Sequence, residues 1–257
     1  MSTAPPAMGL YSIGVRDLAP EQLLPWARDH AIPFLHLRGG ARGHRLSQRT
    51  AAQVGGWRAL ADRTVPVTAV TADVELADLL AGDPSAATEL AAVAEHGRSL
   101  GAPAVRVLAT TPPASWSPPG RTAELRGRPL LIELHSRDWF TPEALGYVDR
   151  LLGSLPRAAL LVDSLCFERC APAPDRALAD WLIDRSIVVH LSDHGEGFSA
   201  PGHRLLLRSL HGSMHRSLRD GTGPGPELAF EWTGADRSPA ACLARYRQAV
   251  AWVEATW

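Results

Sequence analysis

The chain has 257 residues, near the size of one eight-fold β/α barrel, and its 46% hydrophobic content supplies enough apolar surface for a large core, which excludes a wholly disordered protein. Its 26 basic and 27 acidic side chains nearly cancel and form no long basic run, so nothing in the charge marks a nucleic-acid partner. Three cysteines without a Cys-x-x-Cys, Cys166, Cys170 and Cys242, exclude a disulfide framework and fit a reducing compartment. The first residues, MSTAPPAMG, lack an apolar leader core, and no later stretch reaches 18 uncharged apolar residues; a cytoplasmic protein with no membrane contact is expected.

In chain order, eight short apolar runs suit buried parallel strands: GLYSIGV (9–15), IPFLHL (32–37), TVPVTAV (64–70), AVRVLA (104–109), LLIELH (130–135), ALLVD (159–163), IVVHLS (187–192) and ELAFEW (227–232). Helix-like segments lie between most of them, among them PEQLLPWARDHA, SQRTAAQVGGWRALADR, ATELAAVAEHGRSLG, TPEALGYVDRLLGS and DRALADWLIDR. This alternation is that of βαβ units, and eight of them predict an α/β fold, a closed (β/α)8 TIM barrel in one domain spanning 1–257. From Thr110 to Arg128 the Pro-rich TTPPASWSPPG predicts a reduced fourth α element, because proline inside a helix removes a hydrogen bond and clashes with the preceding turn. The flank so exposed is a place for a homodimer contact. Between Gly195 and Pro226, Gly-containing turns around HRLLLRSLHGSMHRSL read as a long connection able to cover an active site. No dinucleotide or phosphate-loop glycine pattern occurs.

The run Leu130, Leu131, Ile132 ends in Glu133, and a carboxylate beside a core costs several kcal/mol unless an arginine, a hydrogen-bond network or a metal ion answers it. Asp163, His190 and Glu231 stand at or near the ends of the next three strands, and in such a barrel the C-terminal strand ends form the mouth that carries the active site. Three carboxylates and an imidazole packed together repel unless a cation sits among them. One divalent ion is therefore expected; this oxygen-rich set suits Mn²⁺ or Mg²⁺, with Co²⁺, Fe²⁺ and Zn²⁺ as further choices.

The stretches LLIELH with Glu133, LLVDSLCF with Asp163, VVHLSD with His190 and Asp193, and ELAFEW with Glu231 resemble the xylose-isomerase-like TIM barrel superfamily. IPFLHLRG is similar to that family's second strand. The superfamily includes sugar and sugar-phosphate isomerases and epimerases, hydroxypyruvate isomerases, inosose dehydratases and type-IV AP endonucleases. The resemblance implies that Glu133, Asp163, His190 and Glu231 bind the metal, and that Glu133 and Glu231 also exchange a substrate proton through an enediolate. That makes a metal-dependent isomerase or epimerase of a sugar-derived or other α-hydroxy carbonyl compound the leading expectation. A dehydratase or lyase on the same scaffold is the first alternative, and a non-catalytic barrel serving as a binding or assembly partner is the second.

Two departures bear on the substrate. Cys166 stands where the family commonly has a histidine three residues after the strand 6 aspartate, and Trp139 replaces a sugar-contacting glutamate. These changes favour a more apolar or aromatic small molecule. The missing histidine and the absent basic excess disfavour an endonuclease. His36, His135 and His203 are further candidate substrate contacts, and Asp193 is a candidate contact or support for His190.

Overall fold

The computed structural model describes residues 4–112, 129–221 and 225–257. Its eight strands are β1 (Met8–Tyr11), β2 (Leu35–Arg38), β3 (Val67–Glu75), β4 (Ala104–Ala109), β5 (Leu130–Leu134), β6 (Ala158–Asp163), β7 (Ser186–Asp193) and β8 (Glu227–Trp232). They pair in parallel in chain order, and β8 returns to β1, which closes the barrel. Around it, among the described residues, lie α1 (Pro20–Asp29), α2 (Ala51–Ala61), α3 (Leu76–Ala81), α4 (Pro84–Leu100), α5 (Pro142–Ser154), α6 (Ser164–Cys170), α7 (Arg176–Ile183), α8 (Pro201–Asp220) and α9 (Pro239–Thr256). This is the TIM barrel that the alternation predicts. The reduced fourth element, and the flank assigned to a dimer contact, fall mainly on 113–128, outside the described residues. No helix among the described residues is long and apolar enough to cross a membrane.

Local chemistry starts most of the helices. Thr50, Asp83, Thr141, Asp163, Asp175 and Ser238 each accept a backbone N–H of the first turn with their side chains, which contributes about 1 kcal/mol per cap. One sequence expectation changes, and two short helices are added. The long connection expected around HRLLLRSLHGSMHRSL is mostly a 20-residue helix, α8. Leu206, Leu207 and Leu210 recur at helical spacing and are buried; Gly212 inside that period was misleading punctuation, whereas Gly195, Gly197 and Gly221, all at positive φ, do flank the helix. The short α3 and α6 follow directly on their strands.

The barrel interior explains where the chemistry comes from. Ala69, Ala104, Leu131, Leu161 and Val188 form a separate apolar cluster, the floor contributed by β3 to β7. Side chains on a strand alternate between faces with a period of two. Two positions beyond these floor residues stand Thr71, Arg106, Glu133, Asp163 and His190, all buried. Each strand thus lays one apolar residue in the floor and one polar residue above it, toward the C-terminal mouth. The intervening residues face outward and belong to the large core shared with the helices.

Candidate metal centre and its cavity

Glu133 meets an arginine first. Arg106 Nε lies 3.0 Å from its Oε2, and His135 Nδ1 lies 3.3 Å from its Oε1. The Arg106 contact is at ion-pair distance without the alignment of a hydrogen bond; the same guanidinium donates from Nη2 to the Tyr11 hydroxyl at 3.1 Å. Burial alone would push the Glu133 carboxyl up, but Arg106 and His135 together outweigh it and hold the pKa at about 2. The Glu133 hydrogen bond in turn raises His135 to about 9, so this imidazole is cationic at neutral pH.

Asp163, His190 and Glu231 converge beside this pair. One ligand atom from each lies within 4.8 Å of the others, so the three form a site able to chelate a divalent cation. Glu133 is not one of that trio. Burial, then the neighbouring carboxylates, push Asp163 up to about 7, and burial with Glu133 does the same to Glu231. A positive charge placed between these two acids would let both ionise.

Proton placement on the histidines tests whether a cation fits. Glu227 accepts from Thr68 Oγ1 at 2.8 Å and lies 3.1 Å from His36 Nε2, which puts the His36 proton on Nε2. Burial lowers His36 and His190 to about 4, so both rings are neutral at physiological pH. The bare His36 Nδ1 then accepts from His190 Nε2 at 2.9 Å. His190 is left with a bare Nδ1, 3.0 Å from Glu231 Oε2. An imidazole lone pair faces a carboxylate lone pair, and only a proton or a cation between them makes that contact favourable. The donor set therefore fits a divalent ion, with the outer His36–Glu227 pair fixing the ring, as supports behind metal-bound histidines do.

Asp163 is held from behind: its Oδ1 accepts the Cys166 backbone N–H at 2.5 Å, and Oδ2 accepts the Ser192 hydroxyl. Tyr11 stacks on His190 with ring centroids 5.0 Å apart and bonds Thr71 Oγ1 at 2.9 Å. A cavity of about 410 Å³ opens above these groups, lined among others by Tyr11, Arg38, Arg106, Glu133, His135, Asp163, Cys166, Ser192 and Glu231.

Of the expected contacts, His135 and Cys166 line this cavity. The Cys166 thiol donates to Leu134 O at 3.1 Å, and burial pushes its pKa up, so it is an unreactive wall. Four others stand elsewhere. His36 is fully buried behind His190. Asp193, three residues after His190, is on the outward face of β7; its Oδ2 takes two donors of Arg245 from α9, and its Oδ1 accepts Gly195 and Gly197 N–H. It therefore supports a loop and not His190. Trp139 is buried at 0% exposure near Tyr147, because it starts the outer layer under α5. His203 is buried on α8, with Nδ1 3.0 Å from Ser164 Oγ.

Arg106, Tyr11, Ser192 and Glu227 were missed. Arg106 carried a signal: it is the single charge inside the apolar run AVRVLA, two positions beyond a small floor residue.

No protein-family model matches the chain, and no curated protein does. Solved structures do. The IolI protein with a bound zinc atom is 11% identical, with a TM-score of 0.67 over 98% of this chain and 99% of that one. D-psicose 3-epimerase, solved in the presence of D-fructose, is 12% identical, with a TM-score of 0.65 over 96% and 97%. A xylose isomerase-like TIM barrel protein from Mycobacterium smegmatis in complex with magnesium is 12% identical, with a TM-score of 0.61 over 99% and 98%. The fold is that of the xylose-isomerase-like TIM barrels.

Proposed function

We propose that the protein is a divalent-metal-dependent isomerase or epimerase of an α-hydroxy carbonyl compound. The observation that carries this reading is the facing pair of bare donors, His190 Nδ1 and Glu231 Oε2, joined by the Asp163 carboxylate at the mouth of the barrel. Asp163, His190 and Glu231 hold the ion, and two carboxylates with one imidazole suit Mn²⁺ or Mg²⁺. When bound, the metal polarises a carbonyl oxygen and lowers the cost of ionising the adjacent C–H.

The chain's own groups handle the proton. Glu133 and Glu231 reach one cavity from strands three apart. One takes the C–H proton and the other returns it, to the opposite face for epimerisation or to the neighbouring carbon for isomerisation. Arg106 keeps Glu133 ionised and able to accept. His135, cationic and at the cavity wall, offers an N–H to a substrate oxygen, and the Tyr11 and Ser192 hydroxyls orient the remainder.

Isotope exchange tests this. A panel of α-hydroxy carbonyl compounds is incubated in D₂O with Mg²⁺-loaded protein and read by mass spectrometry. Deuterium is expected at the carbon beside the carbonyl, removed by EDTA and lowered roughly 10²-fold or more by Glu133→Gln and by Glu231→Gln, with metal occupancy measured in each. Exchange that survives in metal-loaded samples of both variants overturns the assignment of the glutamates. A product short of one water identifies a dehydratase in place of an isomerase.

A further inference from the structure

Three adjacent strands place an arginine on one side of the mouth. Arg38 ends β2, Arg16 follows the turn after β1, and Arg237 follows β8. Arg38 is only 7% exposed, and its guanidinium has no hydrogen-bond or ion-pair partner among the described residues. Its backbone is fixed on both sides: Arg38 N–H donates to Ser12 Oγ at 2.8 Å, and Arg38 O accepts His44 N–H at 2.7 Å. The turn that permits this needs glycine, since a Cβ on Gly40 would lie 2.5 Å from Asp73 N. Arg237 donates to Thr233 O and Gly234 O, but its buried Nη1 has no partner.

The lining of the cavities places these groups together. Arg38 and Arg42 line both the main cavity and an adjoining recess of about 320 Å³ that also holds Arg16. Arg16 and Arg237 line a second recess, which shares His194 and Thr233 with the main cavity. The acids nearby are already engaged or stand apart. Asp73 binds Arg42 at 3.0 Å, Asp236 accepts Ser238 N–H at 2.9 Å, and exposed Asp17 pairs with none of these arginines. Deeper in, Glu133 is paired with Arg106 and His135, and Asp163 and Glu231 belong to the candidate metal site. Burial pushes the Arg38 guanidinium down even though Tyr11 and Asp73 act to raise it, and burial with repulsion from Arg16 and Arg38 pushes Arg237 down.

We infer that Arg38, Arg237 and Arg16 form an anion subsite, and that the substrate carries a carboxylate or phosphate group, docked on the β8–β1–β2 side of the mouth while its carbonyl end meets the metal centre. This rests on the function proposed above for the identity of that second end, but not for the anion itself. Guanidinium donors held without a partner are suited to bidentate capture of either anion.

Calorimetric titration of metal-free protein with inorganic phosphate and, separately, with malonate tests it, since neither result needs a metal or turnover. Saturable binding of at least one probe is expected, and the tighter one names the anion. Arg38→Met should weaken it at least 10-fold and Arg237→Gln at least 3-fold, while Glu231→Gln stays within 2-fold of wild type or tightens. The exposed Arg16→Ala keeps the test open if Arg38→Met does not fold, and should weaken binding at least 3-fold. Absence of saturable binding by wild type, or affinity unmoved by loss of Arg38 and Arg237, or of Arg16 where Arg38→Met does not fold, overturns the subsite. Failure of isotope exchange with intact anion binding counts against the isomerase reading alone.

Discussion

Replacing Arg106 by methionine keeps the aliphatic stem and removes the charge that sits 3.0 Å from Glu133. Glu133 is 4% exposed, and without Arg106 its carboxylate keeps only His135 as a counter-charge. Removing one partner of a buried ion pair costs about 3–5 kcal/mol, because the other charge stays buried. In a chain of this size each 1 kcal/mol lowers the melting temperature by about 2–4 °C, so a drop of roughly 10 °C is expected for Arg106→Met. Glu133→Gln should be of similar severity, since it strands the guanidinium. The double variant should lose less than the sum, with a coupling of at least about 2 kcal/mol in urea-unfolding free energies. Metal content separates this role from ligation: Glu133→Gln should retain the ion, whereas Glu231→Gln should lose most of it. Single-variant losses that add within about 0.5 kcal/mol would refute the pairing, and equal metal loss in the two glutamine variants would make Glu133 a fourth ligand.

Other expectations follow from the same contacts. Asp163 and Glu231 have folded pKa values raised to about 7 above ordinary carboxylate values, so the stability they give metal-free protein is full below about pH 4 and is lost as the pH rises through 7. Binding needs both ionised, so the gain in melting temperature on adding Mn²⁺ should grow from pH 5.5 to pH 8; a gain independent of pH would count against them as ligands. His36→Phe and Glu227→Gln should each weaken metal binding 10- to 100-fold, read as dissociation constants by competition with a chelator, and unchanged constants would remove the relay from the site. Asp193→Ala strands Arg245 and frees the loop from Gly195 to Gly197; it should cost about 3 kcal/mol without altering metal affinity, and a lost ion would return Asp193 to the support of His190.

The barrel was legible because both its periods survive in the chain: apolar runs of strand length separated by helix-length segments, with the eight strands found within a few residues of the expected ones. The polar layer was legible where a single charge ended or interrupted an apolar run, as at Glu133, Asp163 and Glu231. Alternation also settles Asp193, since a residue three positions from an inward His190 must point outward. Other placements depend on contacts distant in sequence. His36 lies 154 residues from His190 and Arg245 lies 52 from Asp193, and no local pattern announces either pair. Trp139 lies beyond the end of β5 in a turn where it is fully buried, so the position that the resemblance marks as a sugar contact does not line the cavity here.

Glu227 opens β8 and so lies at the end of the barrel opposite the mouth, half-exposed in a recess shared with Thr68, Leu131 and Val188. Through His36 it reaches the back of His190, and the thread of two rings and one carboxylate crosses the interior from floor to mouth. The electron richness of His190 Nδ1 is thus adjustable from the far side of the molecule. An engineer can alter Glu227 or Thr68 while leaving every described wall of the main cavity as it stands, which makes the basicity of His190 and the shape of that cavity separately adjustable properties of this scaffold.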